Sequence, residues 1–545
     1  MTDAPRVTVA GGGLAGMTAA LRLAERGYPV TLYEQKPMLG GDLASRTGAG
    51  GVKLDVYPHM YLSWYRNFWR LLRDAGGRRG SGFVAMSDVT QLRPGRYPKF
   101  DSITDMYSPR HTVRNLFSGV GPPADMFVFG YASIDLLAEK LNPTIPLQNV
   151  SVAGFLQARP YMTERAARAA DSFITMVWAI PSYLAAANDY RTYLAYSFAD
   201  HTPAYELALG SAHEQVIAPL TRALERNGVE IHTETQVTSV RRVGGHVTEI
   251  GLEDVEPHER RHVGHGIGGS ERTVEVEELV LAVPPDVLLT LARNADPGER
   301  VIEVAPRLAE VSRLRSQRIP IIHLFFNRRM RHIPPEPVGL FDSPLALAFT
   351  DISQTWAEAD GEQPTVLSLS ASNPYGLPGS GEDDDAYAIL RGLAEYLDFD
   401  PGPAWGTSPD VDWDRTVYEP NDDVTLFLNE TGTDVWRPRA ACPGVENLSF
   451  AGDFCANDIG MTTIESAVAG GLEAAKVIVE RHGIGAPVEI ETPDEDSGAM
   501  YVWLRYAWGP YALAAKAWST GSDYAGALRR LLTPTRPPAR QRRES

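Results

Sequence analysis

Cysteine is nearly absent from this chain: two residues, Cys442 and Cys455, in 545. Two thiols cannot build a multi-bridge disulfide scaffold or a cysteine-only four-ligand metal site. Positive charge is short as well, with 51 Lys and Arg against 69 Asp and Glu and a formal net charge of -18 at pH 7. That deficit argues against nucleic acid as a partner, because phosphate binding needs a basic surface. Long apolar runs are missing: no segment reaches the roughly 20 residues needed to cross a bilayer. The first 13 residues also lack the basic region, apolar run and small-residue cleavage site of a secretory signal. Together these absences predict a cytoplasmic enzyme and leave peripheral membrane contact open. What is present, 43% hydrophobic and 22% charged residues, is the composition of a folded chain. Its length allows two or three cores.

Residues 6–10 read as a short strand running into Gly11-Gly12-Gly13-Leu14-Ala15-Gly16. A helix is predicted over 17–26, stopped at Gly27, and a second buried strand over 29–33 ends at Glu34. This βαβ order predicts parallel strands with a right-handed crossover. The spacing Gly11-x-Gly13-x-x-Gly16 has a physical logic there. Gly11 permits the tight turn, Gly13 lets a phosphate approach the backbone, and Gly16 allows close helix packing. The helix N-terminus, with Leu14 and Ala15 beside it, offers unpaired N–H groups and a positive dipole end to a pyrophosphate. Glu34, followed by Gln35, stands where ribose hydroxyls would be met, and its charge disfavours a 2′-phosphate.

Two more α/β stretches follow. One has a helix over 216–227 and strands over 229–233, 236–243 and 274–283; the other has a strand over 445–453 and a helix over 463–481. Residues 252–272 read as a solvated hairpin insertion. Its His258, His262 and His265 match no closed zinc spacing, so no metal site is predicted.

Gly40-Gly41-Asp42-Leu43-Ala44-Ser45, Phe450-Ala451-Gly452-Asp453-Phe454 and the run from Glu465 to Gly471 together resemble the FAD signature of the amine-oxidase and phytoene-desaturase superfamily. With the apolar strand 321–326 leading into Asn327-Arg328, the chain looks closest to the phytoene- and zeta-carotene-desaturase branch. The resemblance runs, with gaps, from residue 6 to about 483. It implies FAD as cofactor, with Gly40 and Gly41 near its phosphates and Val237 facing the adenine. It likewise implies Gly452 and Asp453 at ribityl or pyrophosphate groups, and the backbone of Met461, Thr462, Thr463 and Ile464 beside the isoalloxazine. The family usually has Arg directly after the glycine pair; here Asp42 stands there, and Arg46 is the nearby candidate to replace the contact.

The predicted fold is therefore α/β: a discontinuous Rossmann-type FAD-binding domain with an interleaved mixed α+β substrate domain. Residues 1–75, 206–288 and 441–485 are assigned to the first, 76–205 and 289–440 to the second, and 486–545 to a C-terminal extension. The resemblance implies two-electron oxidation or desaturation of a lipophilic or polycyclic small molecule by hydride transfer to flavin, with oxygen or a quinone as electron acceptor. Amine oxidation and FAD-dependent non-redox isomerisation or dehydroxylation stay open. His59 and Tyr57 are the candidate catalytic side chains. A neutral imidazole can accept or donate a proton, although a hydrogen-bonded core role fits His59 equally. Residues 500–518 carry Trp503, Tyr506, Trp508, Tyr511 and Trp518, interrupted by Gly509-Pro510 and followed by a basic tail. That segment predicts an interface: a cover for the substrate domain, a homodimer contact or a membrane contact.

Overall fold

Strands Val7–Ala10 and Glu278–Leu281 have every side chain buried, as expected of strands covered on both faces. They belong to a five-stranded parallel sheet in the order Glu230–His232, Val30–Tyr33, Val7–Ala10, Glu278–Leu281, Leu448–Phe450. The computed structural model describes residues 4–104, 109–200, 203–255, 272–355, 363–495 and 498–532. The predicted insertion with His258, His262 and His265, and the arginine-rich end beyond residue 532, lie outside the described residues.

Distant parts of the chain thus share one Rossmann-like sheet, and the first and last of its helices clamp it. Leu14–Ala24 packs against Ile464–His482, and Gly471 marks the closest approach: a Cβ there would lie 2.3 Å from the Ala15 carbonyl oxygen. Gly471→Ala is expected to force these helices apart at a cost of about 1–3 kcal/mol. Thermal unfolding and the flavin content of the purified protein measure this, and a variant that matches the parent in both refutes it.

A second sheet has seven strands in the order Val417–Glu419, Ile321–Phe325, Val366–Ala371, Leu347–Asp351, Val338–Leu340, Asp88–Leu92, Asp101–Thr104. It is antiparallel except where Val338–Leu340 meets Asp88–Leu92. Strands from 88–104 and 321–419 are therefore one structural body. A helical layer of Pro123–Ala138, Glu164–Trp178 and Ala187–Ala199 packs beside it. Thr163 caps the second of these helices by accepting from the Ala166 N–H at 3.1 Å, satisfying one of the donors a helix start leaves open.

Two expectations change. The predicted strand over 274–283 is two strands in different sheets. Arg272–Glu275 is largely exposed and pairs with His246–Asp254, whereas Glu278–Leu281 is wholly buried in the parallel sheet. The second change is at Gly509-Pro510, which does not interrupt the C-terminal segment: Ala499–Leu532 is one helix with Pro510 inside it. Proline removes one backbone hydrogen bond, but extensive packing on Pro123–Ala138 outweighs that loss, with Tyr131 donating to the Arg505 carbonyl at 2.7 Å.

Candidate flavin site

A cavity of about 520 Å³ is lined by residues of both large sheets. Its floor on the Rossmann side is the glycine turn. Gly11 adopts φ +104°, and a Cβ there would sit 2.1 Å from the Ala282 carbonyl oxygen, so only glycine fits. Its N–H donates to the Tyr33 carbonyl at 2.8 Å, tying the turn to the neighbouring strand. Gly13 begins the helix Leu14–Ala24 with no side-chain cap, which leaves the first-turn N–H groups for a ligand anion. The second glycine loop lies directly on the first: Gly40 N–H donates to the Gly12 carbonyl at 2.9 Å.

Gly11, Gly13, Leu14, Ala15, Glu34, Gln35, Gly40, Gly41 and Asp42 all line this end, joined by Val237, Gly452, Asp453, Thr462, Thr463 and Ile464. Gly16, Met461 and Arg46 do not. Gly16 is pressed against the backbone of Gly11, where a Cβ would fall 2.0 Å from the carbonyl oxygen, so it serves helix packing. Met461 is fully buried in the core. Arg46 is the correction with the clearest cause: its guanidinium is held by Glu419 and, at 3.1 Å, by Asp423. Two carboxylates from the far side of the chain already satisfy it, so it does not replace the missing phosphate contact.

Glu34 is nine-tenths buried and already has work within the protein. Its two carboxylate oxygens accept from Gly12 N–H at 2.6 Å and Lys36 N–H at 2.8 Å, fastening the turn to the second strand. Burial pushes its carboxyl above the usual range while these N–H groups oppose the shift. Asp42 is raised to about 7, first by burial and then by the charge of Asp453. Asp453 is itself raised to about 6 by burial, against the pull of Arg437.

The chain N-terminal to Ile464–His482 is fixed by Asn429, whose side chain accepts from Thr462 N–H at 2.7 Å and donates to the Thr462 carbonyl at 3.3 Å. Thr463 caps the helix through Ser466 N–H at 3.1 Å. The Thr462 hydroxyl oxygen is buried without a partner, a polar atom held ready for a ligand. An uncapped helix start, a double-glycine cradle and this hydroxyl, all on one cavity, fit FAD.

Tyr57 and His59 both line the cavity, but their roles separate. The Tyr57 hydroxyl donates to the Val424 carbonyl at 2.6 Å and burial raises its pKa. That bond makes Tyr57 a brace of the cavity wall. His59 Nδ1 lies 2.8 Å from the Tyr57 carbonyl oxygen. A carbonyl only accepts, so the proton resides on Nδ1 and Nε2 keeps its lone pair. Burial pulls this imidazole down to about 4, leaving it neutral at neutral pH.

Three supports act through partners that no local motif reveals. Asn429 is one, and Glu465, which accepts from Asn67 and Phe68, is another. The third is Arg437, which donates to the carbonyls of Asp453 at 2.6 Å and Phe454 at 3.0 Å and so holds the Gly452-Asp453 turn.

Known proteins share this architecture. The family model described as NAD(P)-binding Rossmann-like domain matches residues 9–75, and that described as Flavin containing amine oxidoreductase matches residues 163–479. A 15-cis-phytoene desaturase of Synechococcus elongatus is 22% identical over 489 residues, covering 87% of this chain and 96% of that protein. Among solved structures, an oxidoreductase from Methanosarcina mazei aligns with a TM-score of 0.59 at 14% identity, over 86% of this chain and 99% of the other. Cyclohexylamine oxidase from Brevibacterium oxydans aligns with a TM-score of 0.55 at 13% identity, over 88% and 100%. With a family match across more than half of its length and a cavity whose residues fit FAD, the chain belongs to the flavin-containing amine oxidoreductase family and is an FAD-dependent oxidoreductase.

Proposed function

We propose that this enzyme oxidises or desaturates an apolar or polycyclic small molecule by hydride transfer to FAD, with oxygen or a quinone taking the electrons onward. The observation that carries the reading is the character of the cavity beyond the flavin end. Tyr61, Tyr65, Trp178, Tyr193 and Phe349 line it together with Met60, Met176 and Ile321. Such a wall binds by area and shape and offers an ammonium ion no open counter-charge. Asp55, the carboxylate whose charge reaches Tyr61, is already taken up by the Ser45 hydroxyl at 2.6 Å and the Ala212 N–H at 2.9 Å. The near full-length similarity to a phytoene desaturase supports the same reading.

Bound FAD supplies the two-electron redox chemistry. The chain's own contribution is position and exclusion of water. The aromatic wall holds a hydrocarbon against the flavin end, where proximity is the main source of rate. Neutral His59 keeps that wall uncharged, and its open Nε2 can accept a proton released during oxidation.

Anaerobic mixing with candidate substrates tests this. A lipophilic polyene or polycycle is expected to bleach the oxidised-flavin band and to yield a product two hydrogens lighter. Amines are expected to leave the band unchanged. Bleaching by amines alone, or turnover of a lipophile with no change in flavin or product mass, overturns the reading.

A further inference from the structure

The helix Ala499–Leu532 has two unlike faces. Inward, Arg505 is buried: its Nε lies 2.6 Å from Asp135 and its Nη1 donates to the Asn142 carbonyl at 2.7 Å. Ser519 donates to Asp125 at 2.8 Å, and Ala512 is fully enclosed. Outward stand Met500, Trp503, Tyr506, Tyr511, Trp518 and Tyr524, with Trp503 67% and Trp518 75% exposed. At 3.6 residues per turn these positions share one side of the helix.

The charges are sorted as sharply. Residues 499–525 contain three charged side chains, Arg505, Lys516 and Asp523. Each is turned back onto the body: Arg505 as above, Lys516 onto the Pro160 carbonyl at 2.8 Å, and Asp523 onto Arg165. In a chain with 22% charged residues, the outward face therefore runs about 40 Å without a charge. Exposed apolar faces of this extent mark interaction surfaces.

We infer that this face docks on an anionic lipid surface, lying in the headgroup region with its Trp and Tyr rings turned toward the acyl chains. Indole and phenol rings carry an apolar body and a polar tip and favour that boundary. No helix among the described residues is long and apolar enough to cross a membrane, so the helix lies on the surface. Charge complementarity selects the anionic surface. Although the chain is strongly acidic overall, residues 526–545 contain six arginines and one acidic residue. An arginine-rich sequence of this kind, at the end of an interfacial helix along the chain, is attracted to anionic headgroups. The docked helix packs on Pro123–Ala138, which packs on Glu164–Trp178, whose last residue lines the cavity. The purpose of docking, access to an apolar substrate dissolved in lipid, rests on the function proposed above.

Co-sedimentation of the full-length holoenzyme with vesicles tests the docking without any turnover. Vesicles of phosphatidylcholine with about one third phosphatidylglycerol are expected to bind the protein at least tenfold more tightly than phosphatidylcholine alone. Tryptophan emission is expected to shift to the blue on binding. The double variant Trp503→Glu and Trp518→Glu is expected to lose about tenfold or more of the vesicle affinity. Its flavin spectrum and melting temperature should stay unchanged, because both side chains point away from the body. Absence of binding to anionic vesicles overturns the proposal, as does full binding by the double variant. So does a lipid-free dimer that the double variant dissociates, found without vesicle association, which would make the face a contact between copies. An enzyme that docks but oxidises only amines would sink the substrate reading and leave this inference standing.

Discussion

Glu465→Ala is expected to destabilise the protein by about 3–5 kcal/mol, since each stranded buried donor costs roughly 1–3 kcal/mol. Glu465 is fully buried, as are Asn67 and Phe68 opposite it. One carboxylate oxygen accepts from Asn67 N–H at 2.8 Å and from its side-chain amide at 2.7 Å; the other accepts from Phe68 N–H at 2.9 Å. These are first-turn donors of the helix Arg66–Asp74, whose own N-cap residue, Tyr65, provides no side-chain cap. Glu465 is thus an N-cap delivered from a remote segment, and its charge also suits the positive end of that helix. Because it is the second residue of Ile464–His482, losing it also loosens the start of the helix that lines the flavin end. Glu465→Gln should be milder, about 1–3 kcal/mol, because an amide can accept on one side only and sets an N–H₂ against a donor on the other.

The same residue sets a pH dependence. Burial raises its carboxyl from 4.5 to about 7. A folded-state value above the unfolded one contributes stability below about 4.5 that is lost as pH rises through about 7. Glu465→Ala should therefore show a smaller fall in stability over that window than the parent. Chemical denaturation at several pH values, with flavin content measured alongside, decides the matter. A variant within about 1 kcal/mol of the parent would sink the capping argument.

What was legible in the sequence was local. Gly11, Gly13 and Glu34 lie within one βαβ unit, and their spacing alone places a turn, a helix start and a strand end. The distal Gly452-Asp453 turn and the small-residue helix after it could be read in the same way. What was not legible depends on contacts between segments hundreds of residues apart. Glu465 meets Asn67 across 398 positions, Tyr57 meets Val424 across 367, and Arg46 meets Glu419 across 373. Each partner is chosen by how the sheets interleave, and periodicity carries no trace of that. Arg46 shows the consequence: proximity to the glycine pair suggested a phosphate ligand, while topology supplied two carboxylates that claim it. Pro510 shows the reverse case, where a sound local rule is overridden because one lost hydrogen bond is small beside a packed helix face.

FAD affinity is expected to fall as pH rises from about 5.5 to 8, by up to about tenfold per pH unit for each coupled proton. The cause is the exchange of the family's usual arginine for Asp42. Asp42 lies at the flavin end beside Gly13 and Gly41, where an anionic pyrophosphate is to be held, and Asp453 shares that cavity. The Lys36 ammonium pulls the Asp42 carboxyl down while the Asp453 charge pushes it up; Arg437 and the Phe454 N–H act on Asp453 from behind, and Tyr57 feels the Asp42 charge. With Asp42 raised to about 7 and Asp453 to about 6, the folded protein without flavin loses stability from these groups as pH rises through those values. A bound pyrophosphate adds negative charge and favours the protonated carboxyl further, so binding takes up protons. Calorimetric titration of the flavin-free protein in buffers of different ionisation enthalpy should register that uptake directly. Asp42→Asn is expected to flatten the pH dependence. Asp42→Arg is expected to tighten FAD binding by roughly 10- to 100-fold at pH 8, since even at a screened surface a reversed charge at contact distance is worth a few kcal/mol. A dissociation constant that does not change with pH, or an Asp42→Asn variant with the parent's slope, would show that the pyrophosphate is neutralised elsewhere.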